Sequence, residues 1–128
     1  QVISDFRRIF FNEELLTFAD FNREHARCLA FLKEAVSSSN ARKKIVVTHH
    51  VPSFQMQCPK FADSQANGAF IVELEDYIKD SGIDFWIYGH SHYNVDVRIG
   101  NTMCISNQLG YVFHGEHEFF DPCKNIEV

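Results

Sequence analysis

Two short apolar runs constrain this chain more than anything else in it. Ile45-Val46-Val47-Thr48 and Ile83-Asp84-Phe85-Trp86-Ile87-Tyr88 have strand length and are rich in β-branched and aromatic residues. Each is followed at once by histidine, His49-His50 after the first and Gly89-His90-Ser91-His92 after the second. Between them Phe70, Ile71, Leu74, Tyr77 and Ile78 keep a helical period, which predicts a helix over 69–80 that Gly82 stops. Strand, helix, strand is a βαβ unit, and its strands run parallel when they share a sheet. Both runs lack a polar alternation, as expected of strands buried within a parallel sheet. Parallel strands end at one edge, and open α/β sheets bind ligands at that carboxyl edge.

The flanks add elements to this unit. Residues 2–11 are β-rich and Asn12-Glu13 reads as a turn. Asp20 is the expected N-cap of a helix reaching Val36, with Phe21, His25, Cys28, Leu29 and Leu32 near one face. Ser37-Ser38-Ser39-Asn40 ends it. Residues 51–69, with Pro52, Pro59, Asn67 and Gly68, form a long loop. Its Phe54, Met56 and Phe61 either border a substrate entrance or belong to a mobile connector. Beyond the second run, Val95, Val97 and Ile99 alternate with Asp96 and Arg98, Gly100-Asn101 supplies a turn, and Met103-Cys104-Ile105 follows. That is a hairpin pattern. The fold class is α/β.

Composition narrows the function. With 45% hydrophobic and 23% charged residues among 128, the chain has the apolar material for a core, and thirteen Phe load it with rings. A net charge of −5 argues against a binder of nucleic-acid backbones, which needs excess Lys and Arg. The one basic run, Arg42-Lys43-Lys44, reads as a solvated loop. No apolar stretch approaches membrane-spanning length, and no secretory signal is visible. Cys28, Cys58, Cys104 and Cys123 are dispersed without a CxxC pair, which fits reduced thiols and a cytoplasmic location.

The histidines carry the chemistry. In extended chain, residues at i and i+2 point the same way, so His90 and His92 are expected to face one site, with Gly89 letting the backbone bend. Imidazole is the commonest metal donor, and three suffice for several catalytic zinc sites. A single such His reads as a polar loop or core residue; a set at two adjacent strand ends reads as a metal site. His114-Gly115-Glu116-His117 reads instead as a polar loop, because Gly115 breaks any helix that would align its members. His25 reads as a surface or packing residue and Trp86 as core, and Asn107 receives no role.

Val46-Val47-Thr48-His49-His50-Val51-Pro52, with Tyr88-Gly89-His90-Ser91-His92 about forty residues later, resembles the last two motifs of calcineurin-like metallophosphoesterases. Those are a histidine after a hydrophobic strand and a GHxH after the next. The stretch that carries the resemblance is 45–93. It implies part of a four-layer αββα sandwich, with the C-terminal hairpin in the second sheet. It implies two divalent ions of manganese, iron or zinc, with His49 and His90 ligating the second ion and His92 the first. His50, one place further along, is the weaker ligand candidate and is assigned to the substrate site. The implied reaction is hydrolysis of a phosphate ester, in which two ions a few ångströms apart clamp the phosphoryl group and activate water. Neutral imidazole is the ligating form, so such activity is expected to fail below about pH 6.

The family's DxH, GD and GNH(D/E) motifs do not occur in the sequence. Residues 1–128 are therefore expected to be the C-terminal part of a single metallophosphoesterase domain, cut from a longer chain that begins before Gln1. The chain alone is expected to bind one metal ion weakly or none and to hydrolyse little. Exposed apolar edges would then favour a homodimer or strand exchange. Two rival functions stand beside the phosphoesterase. One is a mononuclear three-His zinc hydrolase complete in this chain, and the other is an interaction domain whose histidines are structural.

Overall fold

The computed structural model describes residues 3–128 and divides the chain into two compact units, Gln1–Asn40 and Ala41–Val128. In the first, a 3-10 turn at Asp5–Arg7 precedes a two-residue hairpin of β1 (Phe10–Phe11) and β2 (Glu14–Leu15). Asn12 and Glu13, with φ of 51° and 69°, form its tight turn. The β-rich reading of 2–11 thus shrinks to Phe10–Phe11; Val2 lies outside the described residues. A 21-residue helix, α1 (Phe18–Ser38), follows. Its cap is Thr17 rather than Asp20: the Thr17 hydroxyl accepts the Asp20 N–H at 3.1 Å, and the Asp20 carboxylate accepts the Thr17 N–H at 3.2 Å. Asp20 is the third helical residue of this reciprocal capping box. The Thr17 hydroxyl and the Arg23 guanidinium hold its carboxyl below the usual range. Phe6 packs on Phe18 and Phe21, with ring centroids 4.1 and 5.9 Å away. Cys28, expected on the packing face of α1, is exposed.

The second unit is a four-stranded mixed sheet in the order β3-β4-β6-β5, formed by β3 (Ile45–Val47), β4 (Phe85–Ile87), β5 (Val97–Ile99) and β6 (Thr102–Ile105). β3 and β4 are parallel neighbours joined through the helix α2 (Glu75–Asp80), so the βαβ unit is present. α2 is shorter than the expected 69–80. Glu73 stops it from starting earlier, because its carboxylate takes the Ser53 hydroxyl and the N–H groups of Phe54 and Glu75. The hairpin β5–β6 forms as expected, but not in a second sheet: β6 lies parallel to β4 in the same one.

In register across the sheet, Val46, Trp86 and Cys104 share one face, and all three are buried. Trp86 is core, as its run suggested, and Ile78 of α2 is fully buried as well. Thr102 donates its hydroxyl to the Ile83 carbonyl at 2.7 Å. Gly100 takes φ +57° where a Cβ would stand 3.0 Å from the Lys79 carbonyl oxygen, so the hairpin turn can approach α2 only as glycine. Ile45 and Val47, by contrast, are 43% and 69% exposed. β3 is an edge strand with one buried residue, not a strand buried on both faces. Its start is anchored by Asp84, whose carboxylate accepts the Lys44 N–H and the Lys43 ammonium, each at 2.9 Å. Those two contacts, the backbone one foremost, hold the Asp84 carboxyl below the usual range. The basic run is therefore tied down at Lys43 rather than simply solvated.

The loop 51–69 is closed at its base. Val51 bridges Ile71 in parallel, and the Leu74 N–H donates to the Pro52 carbonyl. Met56 within it is fully buried while Phe54 and Phe61 are about half exposed, so the three do not form one entrance rim. Among the described residues no helix is long and apolar enough to cross a membrane. All four cysteines are free.

Candidate metal centre

His49 and His90 follow β3 and β4 at the carboxyl edge of the sheet. The parallel ladder runs on past the strands: the Thr48 N–H donates to the Ile87 carbonyl at 2.9 Å and the Gly89 N–H to the His49 carbonyl at 3.2 Å. That backbone pairing brings the rings together. Imidazole centroids are 4.5 Å apart for His49 and His90, 4.8 Å for His50 and His90, and 5.4 Å for His49 and His50. Phe70, at the far end of the loop, stacks on His90 at 4.5 Å and 24°. Support comes from the core: Trp86 donates its indole N–H to the Thr48 hydroxyl, which donates in turn to the His50 carbonyl, both at 2.9 Å. His50 is thus a full member of the imidazole cluster, although it reads in sequence as the weaker ligand candidate.

His92 stands differently. The segment 90–92 is not extended; His90 and His92 themselves take left-handed φ of 71° and 52°. Left-handed histidine is uncommon, and such conformations persist where surrounding contacts over-determine them. Here the contacts come from the chain after β6. Gln108 accepts the His92 N–H at 2.8 Å and donates to the Tyr93 carbonyl at 3.0 Å. Asn94 exchanges hydrogen bonds with the Gln108 backbone, 2.7 and 2.9 Å long. The ring of His92 meets Tyr111 edge-on at 4.7 Å, and its Nδ1 lies 2.8 Å from the Glu116 carboxylate.

Sequence reading passed over the residues that build this second arrangement. Gln108 and Asn94 are ordinary polar residues in an irregular stretch. Glu116 sits in the 114–117 run that reads as a polar loop, and a helix was the wrong requirement: Gly115, left-handed at φ 74°, joins two 3-10 turns and turns Glu116 inward. Asn107, left without a role, ties the tail down by exchanging hydrogen bonds with the Asp121 backbone at 2.7 and 3.0 Å. Tyr111 first, then His92, holds the Glu116 carboxyl below its usual range, with His114 adding to the effect.

Neutral imidazoles at a strand edge suit a divalent transition ion by their chemistry. His49 and His90 have the mutual spacing to share one, and His92, its Nδ1 engaged by a carboxylate, has Nε2 left over for another. Among the described residues, no group of three or more His, Cys, Asp or Glu is arranged so that it could hold a metal ion by itself.

An uncharacterized protein of Acanthamoeba polyphaga mimivirus is 28% identical over 120 residues, covering 88% of this chain. The chain spans 41% of that relative's length. No solved structure matches the chain. Residues 3–94 match the family described as calcineurin-like phosphoesterase, so the match takes in the first unit as well as both histidine motifs. On that match, which covers most of its length, the chain belongs to the calcineurin-like phosphoesterase family.

Proposed function

We propose that this chain supplies the histidine ligands of a dinuclear centre that hydrolyses phosphate esters, with His49 and His90 on one divalent ion and His92 on the other. The observation that carries this reading is the convergence of His49 and His90 to 4.5 Å at the carboxyl edge of two parallel strands. His92 has a separate set of partners, Gln108 and Glu116, which supports the division between two ions. Family membership supports metal-dependent phosphoester hydrolysis in general. When bound, such ions supply polarisation of the phosphoryl oxygens and activation of water for attack on phosphorus. The protein's part is to hold imidazoles at the strand ends and to shape the surroundings. His50 and Phe70 border the pair and would line the substrate side of it.

The test is metal content together with hydrolysis of a generic aryl phosphodiester, measured on this chain and on any longer protein that contains it, with manganese and with zinc. His49→Ala and His90→Ala should each lower kcat/KM on the order of a hundredfold or more, because each removes a ligand to the group that stabilises developing charge. His50→Ala should cost about tenfold at most, as a group that borders rather than ligates. Full activity in the His49→Ala and His90→Ala proteins would end this reading. One tight zinc per chain with activity would replace it by a mononuclear three-His site.

A further inference from the structure

Glu116 is built closely into the surroundings of His92. One oxygen of its carboxylate lies 2.8 Å from His92 Nδ1 and 2.6 Å from the Tyr111 backbone nitrogen. The Glu116 N–H returns to the Tyr111 carbonyl at 3.3 Å, closing a small ring of chain over residues 111–116. Room for this exists only because residue 110 has no side chain. A Cβ on Gly110 would fall 2.5 Å from Glu116 Cβ, 2.9 Å from its carboxylate oxygen and 3.3 Å from His92 Cβ, and Gly110 has φ +64° besides. Backbone, glycine and carboxylate thus fit together around one imidazole.

An ionised carboxylate only accepts hydrogen bonds. Contact at Nδ1 therefore requires the proton on Nδ1, which leaves the Nε2 lone pair as the one donor atom of the neutral ring. We infer that Glu116 is a positioning residue for His92, holding its imidazole as the Nδ1–H tautomer with Nε2 presented to a metal ion. The inference rests on the reading of His92 as a ligand and adds a residue to it. Carboxylates that receive the second N–H of a ligating histidine orient the ring and raise its basicity, and their loss costs about 10–100-fold in metal affinity. A tail latch alone would account for the Tyr111 contact but sets no tautomer.

Two measurements on the full chain separate these roles. The first is the long-range proton–nitrogen correlation spectrum of the histidine rings without metal. His92 should appear as the Nδ1–H form in the wild type and shift toward Nε2–H in Glu116→Ala. The second is calorimetric titration with manganese and with zinc. Affinity should fall about 10–100-fold in Glu116→Ala and less in Glu116→Gln, whose amide oxygen still accepts from Nδ1–H and keeps the shape if the alanine variant fails to fold. His92 found as Nε2–H in the wild type overturns the proposal, as does a Glu116→Ala protein with unchanged tautomer and affinity. His92→Ala tells the two failures apart. If it weakens metal binding while Glu116→Ala does not, the positioning role falls and the ligand reading stands; if it changes nothing, the ligand reading itself falls. If this chain alone binds neither ion, the spectrum decides the tautomer and the same titration on a longer protein that contains the chain decides the ligand reading.

Discussion

The two histidine arrangements in the second unit are mounted in different ways. The cluster of His49, His50 and His90 stands directly on the core. It is placed by a parallel ladder that continues one step beyond the strands, and it is braced through Thr48 by the buried Trp86. His92 stands on a turn whose backbone is left-handed, and it is held by side chains from a stretch of 3-10 turns and irregular chain after β6. The first arrangement depends on hydrophobic burial; the second depends on a handful of half-buried hydrogen bonds. One protein uses both because strand ends supply only a few fixed positions, and any further group near them has to be carried by connecting chain.

Substitution in the core should break the first arrangement. Trp86→Ala removes a fully buried indole and the donor to Thr48, so it should destabilise the second unit by about 3–5 kcal/mol. Urea melting followed by circular dichroism reads that loss. Trp86→Phe keeps most of the buried area and should cost far less, while freeing the Thr48 hydroxyl and loosening the backbone at His50. Gln108→Ala tests the second arrangement and should have a smaller effect. It removes the acceptor of the His92 N–H and the donor to Tyr93, at about 1–3 kcal/mol for groups left half-buried without partners. If the comparison is right, His92 ring resonances shift in Gln108→Ala while those of His49 and His90 stay. Equal shifts in all three would mean that the arrangements are one network.

The difference in mounting also explains what was legible in the sequence. Ile45–Val47 and Phe85–Ile87 announce themselves by composition, and their parallel pairing follows from the helix between them. Once that is known, the meeting of His49 with His90 follows from topology, without any side-chain detail. The helix α1 was legible too, apart from its cap. Asp20 looked like the first residue because the capping box places an acid at the third position and a threonine at the boundary, and Thr17 was the quieter signal. The hairpin was legible as a hairpin but not its sheet, since alternation shows which residues share a face and not which strand lies alongside. Neither Gln108 nor Glu116 could be found by periodicity. Their contacts with His92 span 16 and 24 residues of chain, and such contacts leave no pattern. The one local trace was Gly110 with Gly115, two positive-φ positions shortly before Glu116. Extended geometry at 90–92 was the misplaced premise: contacts from outside the segment overrode the local preference.

Thiol chemistry offers the finest discrimination, because each region carries its own cysteine. Cys104 lies across the ladder from Trp86, fully buried, and burial pushes its thiol up to about 11. Thiolate is the nucleophile, so at pH 8 this residue is doubly protected, by lack of access and by lack of charge. Cys123 is exposed in the tail that Asn107 and Lys124 pin near Asp121 and Asp96. A disulfide reagent should therefore modify Cys123 and the exposed Cys28 at once. Cys104 should react only as fast as the sheet itself opens, apart from any fraying of the tail. Raising the pH from 7 to 9 should leave Cys104 limited by opening. Gln108→Ala should leave the Cys104 rate nearly unchanged, whereas Trp86→Ala should raise it by several orders of magnitude, as its loss of about 3–5 kcal/mol implies. A Cys104 rate that tracks Gln108→Ala instead would show that the tail stabilises the core beneath the first cluster. The two mountings would then be a single structure seen from two ends.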